Sequence, residues 1–176
     1  MPQVEGDTAV VVVAHAVEPL VGGWRSRYDS SASVGVPAHV TVLYPFLPLD
    51  EVVPDVVERL ASIVAAEPVF DVRFARFGRF PGSVLWLDPE PAEPFRRLTY
   101  AVWRAWPQTP PYGGVHDEVT PHLTVAEHPD EGLLDEISAE VARGLPVSMT
   151  VTTAQLLVAR DGVWTVEATF PLGPPG

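Results

Sequence analysis

The sequence predicts an α+β protein with a bilobal, duplicated fold: two mainly antiparallel sheets with flanking helices around a central cleft. Three observations predict this fold. Short β-branched runs alternate with amphipathic helical stretches along all 176 residues. The order strand, helix, two-strand hairpin occurs twice, at approximately 38–88 and 121–170. Turn residues rich in Pro and Gly separate the elements. We therefore interpret residues 1–176 as a single two-lobed domain with an internal pseudo-repeat.

The first half begins with a buried strand over 8–15, TAVVVVAH, which is short and β-branched. A short helix is predicted over 18–29, although two adjacent glycines weaken it. The first repeat follows, with a strand over 38–44, a helix over 51–66 and strands over 69–78 and 83–88 joined by a turn at Arg79–Gly82. Pro54 fits the first turn of its helix, where a missing N–H costs little.

The second half repeats this order after a connecting segment. An amphipathic helix over 91–106 and a Pro- and Gly-rich loop lead into it. The predicted elements are then a strand over 121–127, a helix over 130–143 and strands over 147–158 and 163–170, which meet at a turn, Asp161–Gly162. If the repeat is a duplicated unit, its two first strands face each other across the cleft.

Composition excludes several classes of protein. The formal net charge is −12, and all 11 basic residues are Arg, so an extended basic surface for duplex nucleic acid is not expected. No apolar run approaches the roughly 20 residues that span a bilayer, and the amino end lacks the basic region of a signal peptide. Cysteine is absent, which excludes disulfides and thiolate chemistry. We expect a cytoplasmic monomer without membrane contacts.

Two similar tripeptides contain the candidate catalytic residues. His39-Val40-Thr41 and His122-Leu123-Thr124 each open a β-type run at the same place in their repeat. Alternation along a strand puts the His and the Thr on one face and the aliphatic residues on the other. Two imidazoles can act as base and acid at neutral pH, as phosphodiester cleavage requires, while the Thr hydroxyls donate to the phosphate oxygens. This chemistry needs neither a metal nor another cofactor.

These motifs, HVTVLYPF and PHLTVAE, resemble the two signatures of the two-histidine (2H) phosphoesterase superfamily. The most similar branch is the 2′-5′ RNA ligase and cyclic phosphodiesterase-like family. The resemblance implies catalytic roles for His39 and His122 and phosphate binding by Thr41 and Thr124. It also implies metal-independent action on a 2′,3′-cyclic phosphate or a 2′-5′-type diester of a nucleotide or RNA end.

The sequence departs from that family in one place. Members that act on RNA often carry a basic residue shortly after the second motif, where this chain has Glu127. Together with the negative net charge, this favours a small nucleotide or cyclic phosphate and hydrolysis over ligation. The alternative function is a non-catalytic module that binds a nucleotide or RNA end in the same cleft. A purely structural role would predict no pocket between the repeated strands.

Other residues are weaker candidates. Tyr44 follows the first motif and is a candidate for stacking on a substrate base, although strict alternation would bury it. Trp86 is more typical of a core residue. His116, in the loop before the second motif, is more typical of a surface histidine. His15 and His128 are expected to be structural.

Overall fold

The computed structural model describes residues 5–115 and 118–176, and within these ranges the chain forms eight strands and five α-helices. The strands are β1 (Thr8–Val13), β2 (His39–Leu43), β3 (Phe70–Phe80), β4 (Val84–Glu90), β5 (Leu123–Glu127), β6 (Val147–Val151), β7 (Thr153–Arg160) and β8 (Val163–Pro171). The helices are α1 (Glu18–Tyr28), α2 (Ser30–Ser33), α3 (Pro54–Ala66), α4 (Glu93–Ala105) and α5 (Glu131–Ala142). Short 3₁₀ turns occupy Leu49–Glu51 and Pro111–Gly114.

The strands form two four-stranded antiparallel sheets. The order is β2-β1-β7-β8 in the first sheet and β5-β4-β3-β6 in the second. Helices pack against both sheets: α4 contacts β2, and α1 contacts β5. The predicted α+β fold, with two antiparallel sheets and flanking helices, is therefore confirmed.

The strand predicted over 147–158 is wrong as a single element. The chain breaks at Thr152, so that β6 pairs with β3 in the second sheet and β7 pairs with β1 in the first. The buried positions show the reason, because Val151 and Ala154 both face the core and the two-residue alternation slips by one between them. Each sheet consequently combines strands from both halves of the sequence.

The helices lie close to their predicted ranges. Helix α3 begins at Pro54 rather than at 51, since the three residues Leu49–Glu51 form a separate 3₁₀ turn. Helix α5 begins after Asp130, whose carboxylate accepts hydrogen bonds from the backbone N–H groups of Gly132 and Leu133. None of the helices in the described ranges combines the length and apolar character that crossing a bilayer takes.

The two motif strands lie at the edges of their sheets and contact each other. β2 is the outer strand of the first sheet, β5 is the outer strand of the second, and residues of the two approach closely. One continuous apolar core packs beneath both, drawing Val40, Leu43, Leu123 and Val125 together with the faces of the helices. The fold therefore brings the two motifs side by side on a common support.

Candidate active site

A cavity of about 440 Å³ lies between the two motif strands, within the size range of small-molecule sites. His39, Thr41, His122 and Thr124 all line it, so the structure brings the four predicted residues together. The other residues that line it are Asp29, Ser31, Tyr44, Pro45, Tyr112, Gly113 and Glu127. A larger surface groove of about 550 Å³ beside Asp71 and Glu90 lies apart from both motifs and contains no histidine.

The two histidines are held in the same way. The Nδ1 atom of His39 lies 2.8 Å from the carbonyl oxygen of Pro37, and that of His122 lies 2.7 Å from the carbonyl oxygen of Thr120. A carbonyl only accepts, so each Nδ1 carries a proton and donates it. With Nδ1 engaged in this way, Nε2 is the nitrogen of each ring that is left to accept a proton or to give one back.

His39 lies against buried charges. It is buried, and burial first and the charge of Arg25 second lower its pKa to about 4, while the hydrogen bond to Pro37 and the charge of Asp29 act in the opposite direction. A histidine with this pKa is neutral at pH 7. The structure thus keeps His39 in the form that accepts a proton.

The charges beside His39 form a network that also positions the strand. The guanidinium of Arg25, on α1, donates to Asp29, to Ser31 Oγ and to the carbonyl of Val36, which lies three residues before His39. Burial opposes ionisation of Asp29, but Arg25 and the hydrogen bonds of Ser31 hold its pKa below the usual range. Sequence reasoning missed Arg25 and Asp29, because nothing in the sequence of this weakly amphipathic helix shows which of its two Arg residues is buried beside the first motif.

His122 lies instead among aromatic rings. Phe80 meets it edge-on with ring centroids 4.8 Å apart, Trp86 lies at 6.1 Å and Tyr112 stacks on it at 6.1 Å with an interplanar angle of 27°. Its surroundings are less enclosed than those of His39, since its side chain is half-buried. Packing against these three rings restricts the orientation of the His122 imidazole.

Tyr112 connects the two motifs across the cleft. Its hydroxyl is hydrogen-bonded to the Thr41 side chain, its backbone N–H donates to the carbonyl of Tyr44, and its ring packs on His122. Burial raises its pKa to about 12, so the hydroxyl stays protonated at neutral pH. Sequence reasoning missed this residue, and the only available signal was an aromatic residue in the Pro- and Gly-rich loop before the second motif.

Both motif strands contain a β-bulge at the same position. Val42 of β2 and Val125 of β5 are each the extra residue, since Thr41 and Leu43 face adjacent residues of β1, as Thr124 and Ala126 face adjacent residues of β4. A bulge shifts the alternation by one residue. The residue five positions after each histidine therefore lies on the cleft side of its strand: Glu127 is exposed there, whereas Tyr44 is buried in a second apolar cluster with Trp164.

Tyr44 lines the cleft with its ring largely covered. Its hydroxyl donates to Asp7 at 2.9 Å, and its ring meets Trp164 edge-on with centroids 6.0 Å apart. Burial and the contact with Asp7 raise its pKa well above the usual range. Stacking of Tyr44 on a substrate base stays a prediction.

The remaining candidates divide between packing and surface positions. Trp86 packs on His122 and Phe80 and does not line the cavity, and His15 is exposed. His128 meets the Tyr28 ring edge-on. His116 lies outside the described residues. Among residues 5–115 and 118–176, no group of three or more His, Asp or Glu side chains is arranged to hold a metal ion.

Two His-x-Thr motifs on neighbouring edge strands thus share one cavity on an α+β scaffold. The sequence belongs to the 2′-5′ RNA ligase superfamily, whose family model matches residues 12–163. The resemblance noted in the sequence is thereby confirmed.

Bacterial relatives cover nearly the whole chain. A Geobacillus kaustophilus protein named "Putative phosphoesterase" is 25% identical over 169 residues, which cover 93% of this chain and 94% of the relative. A Bacillus cereus (strain G9842) protein with the same name is 26% identical over 180 residues, covering 93% and 95%. The similarity therefore includes both motifs and both sheets.

Solved structures share the fold. TT0787 of Thermus thermophilus superposes with a TM-score of 0.63 at 22% identity, covering 96% of this chain and 98% of that chain. E. coli LigT complexed with 3′-AMP superposes with a TM-score of 0.55 at 16% identity, covering 95% and 98%. At these identities the likeness concerns the fold alone.

Proposed function

We propose that this protein is a metal-independent phosphoesterase that opens the 2′,3′-cyclic phosphate, or cleaves a 2′-5′-type diester, of a nucleotide or RNA end. The observation that carries the proposal is the shared cavity. His39 and His122 come from different sheets, line one cavity and have matching hydrogen bonds at Nδ1. One phosphoester between them would meet a proton acceptor on one side and a proton donor on the other.

In the hydrolytic direction we assign the base to His39 and the acid to His122. Nε2 of His39 takes a proton from water, whose oxygen bonds to phosphorus. The bond from phosphorus to the 2′ or 3′ oxygen breaks, and Nε2–H of protonated His122 gives its proton to that oxygen. One water is consumed, the product is a phosphomonoester, and solvent restores both protonation states. The neutral state of His39 supports this assignment.

Thr41 and Thr124 are the proposed phosphate ligands. Each lies two residues along its strand from its histidine and lines the same cavity. Their hydroxyls can donate to the non-bridging oxygens, where negative charge increases in the transition state. Tyr112, hydrogen-bonded to Thr41, is the proposed positioning residue for that hydroxyl.

A small nucleotide is the proposed substrate class. E. coli LigT, which shares the fold, was solved with 3′-AMP, a nucleotide with a single phosphate. Hydrolysis is favoured over ligation, because ligation would require two polyanionic RNA ends to meet on a protein with net charge −12. Since one chain supplies both motifs, we propose that it acts as a monomer.

The direct test is turnover of adenosine 2′,3′-cyclic phosphate in the presence of EDTA. We expect His39→Ala and His122→Ala each to lower kcat by roughly 10²-fold or more, because each removes one proton transfer. His15→Ala is the matched control, since His15 is exposed and does not line the cavity. An unchanged kcat in both His39→Ala and His122→Ala would contradict the assignment of these histidines as the base and the acid. Binding of 2′-AMP or 3′-AMP without turnover of any diester would instead favour the non-catalytic module.

A further inference from the structure

Glu127 is the exposed last residue of β5 and lines the cleft. The bulge at Val125 buries two successive residues, Val125 and Ala126, on the core side of β5, so the Glu127 side chain lies on the same side as Thr124. Without the bulge, alternation would have placed position 127 on the core side with Leu123 and Val125. The bulge in β5 therefore places a carboxylate in the wall of the proposed phosphoester site.

This carboxylate has no cationic partner in the described part of the chain. Of the two acidic residues that line the cavity, Asp29 is paired with Arg25 at 2.8 Å, whereas no Arg among residues 5–115 and 118–176 forms an ion pair with Glu127. Arg25 is itself buried and bonded to protein acceptors. The described lining thus contains neither Lys nor Arg, and Glu127 adds a carboxylate to it that no described Arg pairs with.

The direction of the Glu127 pKa shift agrees with the acidic character of the described cavity lining. Partial burial first and the charge of Asp29 second raise the pKa of Glu127 above its usual value, as expected for a partly covered acid that lies near another acid. A dianionic phosphate group beside it would meet the same repulsion. A phosphodiester carries only one negative charge, which one protonated histidine can balance.

We propose that Glu127 makes this cleft selective by charge: it admits a substrate whose only anionic group is the phosphodiester and disfavours one that carries an additional phosphate. The proposal rests on the proposed function and narrows its substrate class to nucleosides with a cyclic phosphate and no 5′-phosphate. An RNA end, whose chain continues as further phosphates, is disfavoured by the same charge.

The experiment compares adenosine 2′,3′-cyclic phosphate with its 5′-phosphorylated counterpart. We expect kcat/KM of the wild type to favour the first by about ten-fold at low ionic strength, and added salt to reduce that preference. Glu127→Gln should narrow the preference to within about three-fold, and Glu127→Arg should abolish or reverse it. Glu140→Gln is the matched control, because it removes the same charge from an exposed position at the far end of α5.

Binding measurements distinguish a failure of the charge-selectivity proposal from a failure of the proposed function. Calorimetric titration with adenosine 3′-phosphate and adenosine 3′,5′-bisphosphate measures the same discrimination without turnover. A wild type that turns over neither cyclic substrate contradicts the proposed function, while these titrations still decide the role of Glu127. The charge-selectivity proposal would be overturned if the wild type had the same kcat/KM for the two cyclic substrates and the same affinity for the two titrated nucleotides. It would also be overturned if Glu127→Gln and Glu140→Gln changed this discrimination equally.

Discussion

At the scale of single residues, the two histidines share one hydrogen-bonding scheme but differ in their surroundings. His39 is buried beside the Arg25–Asp29 pair, whereas His122 is half-buried among Phe80, Trp86 and Tyr112. Two titratable groups whose environments differ in this way are typical of an acid and base pair. Chemically equivalent motifs can therefore take different roles.

The pH dependence of the reaction follows from the state of His39. A base works only when unprotonated, so kcat/KM falls as pH decreases through the pKa of the free enzyme's base. Burial and Arg25 lower the pKa of His39 to about 4. Because His39 stays unprotonated over this range, we expect no loss of kcat/KM from ~pH 7 down to ~pH 5 and a fall to half its maximum near the pKa of His39. Thermal unfolding at each pH reports the folded fraction. An acid limb centred near ~6.5, the ordinary value for histidine, would contradict the assignment of His39 as base.

Tyr112 provides a second test at this scale. Tyr112→Phe keeps the ring that stacks on His122 and removes the hydroxyl that bonds to Thr41. Because a freely rotating Thr41 donates less well to the phosphate, we expect kcat/KM to fall by about three- to ten-fold, a loss of ~1 kcal/mol. Tyr100→Phe, on the exposed face of α4, is the matched control. A Tyr112→Phe enzyme with wild-type kcat/KM would show that the hydroxyl does not position Thr41.

At the scale of elements, the β-bulges in β2 and β5 are the features that complete the site. Strict alternation predicts the cleft-facing His and Thr correctly in both strands, but it places positions 44 and 127 on the opposite side of their strands, away from the cleft. A bulge depends on the pairing of neighbouring strands and has no reliable signature in one strand's sequence. For β2, the side chain of Thr99 on α4 donates to the carbonyl of the bulged Val42.

The aromatic packing beneath His122 depends on a glycine. Gly78 of β3 faces Trp86 of β4, and any side chain at position 78 would overlap the indole ring. We expect Gly78→Ala to lower the free energy of unfolding by about 1–3 kcal/mol and to reduce kcat, because a displaced Trp86 no longer supports His122. Chemical denaturation and steady-state kinetics measure the two effects.

The matched control for that substitution is Gly23→Ala. Gly23 lies in α1 with open space around it, so alanine there should be neutral or slightly stabilising. If Gly78→Ala had the same effect as Gly23→Ala on both stability and kcat, the support of His122 by Trp86 would be contradicted.

At the scale of the whole molecule, the sequence predicts the positions of the motif strands and helices better than it predicts which strands share a sheet. Hydrophobic periodicity located the helices and the motif strands to within a few residues, since each signal is local. The exchange of strands between the sheets is not local: β6 and β7 part at Thr152, and only a one-residue slip in alternation marks the change. Arg25, Asp29 and Tyr112 reach the site through tertiary packing, which one sequence does not reveal.

The exchange of strands also explains why the cleft is well defined. Each sheet contains strands from both halves, and a single apolar core runs beneath β2 and β5. The two histidines therefore share one packed support rather than two independently moving units. Their relative position is a property of the whole fold.

The central claim is that His39 and His122 act on the same phosphoester, and a double-variant cycle tests it most directly. The measurement is kcat for adenosine 2′,3′-cyclic phosphate in EDTA with the wild type, His39→Ala, His122→Ala and the double variant. Residues that act as a unit are strongly non-additive, so we expect the double variant to be no more than about ten-fold slower than the slower single variant. Effects that multiply across the two substitutions, or a single variant that keeps the wild-type rate, would contradict the claim.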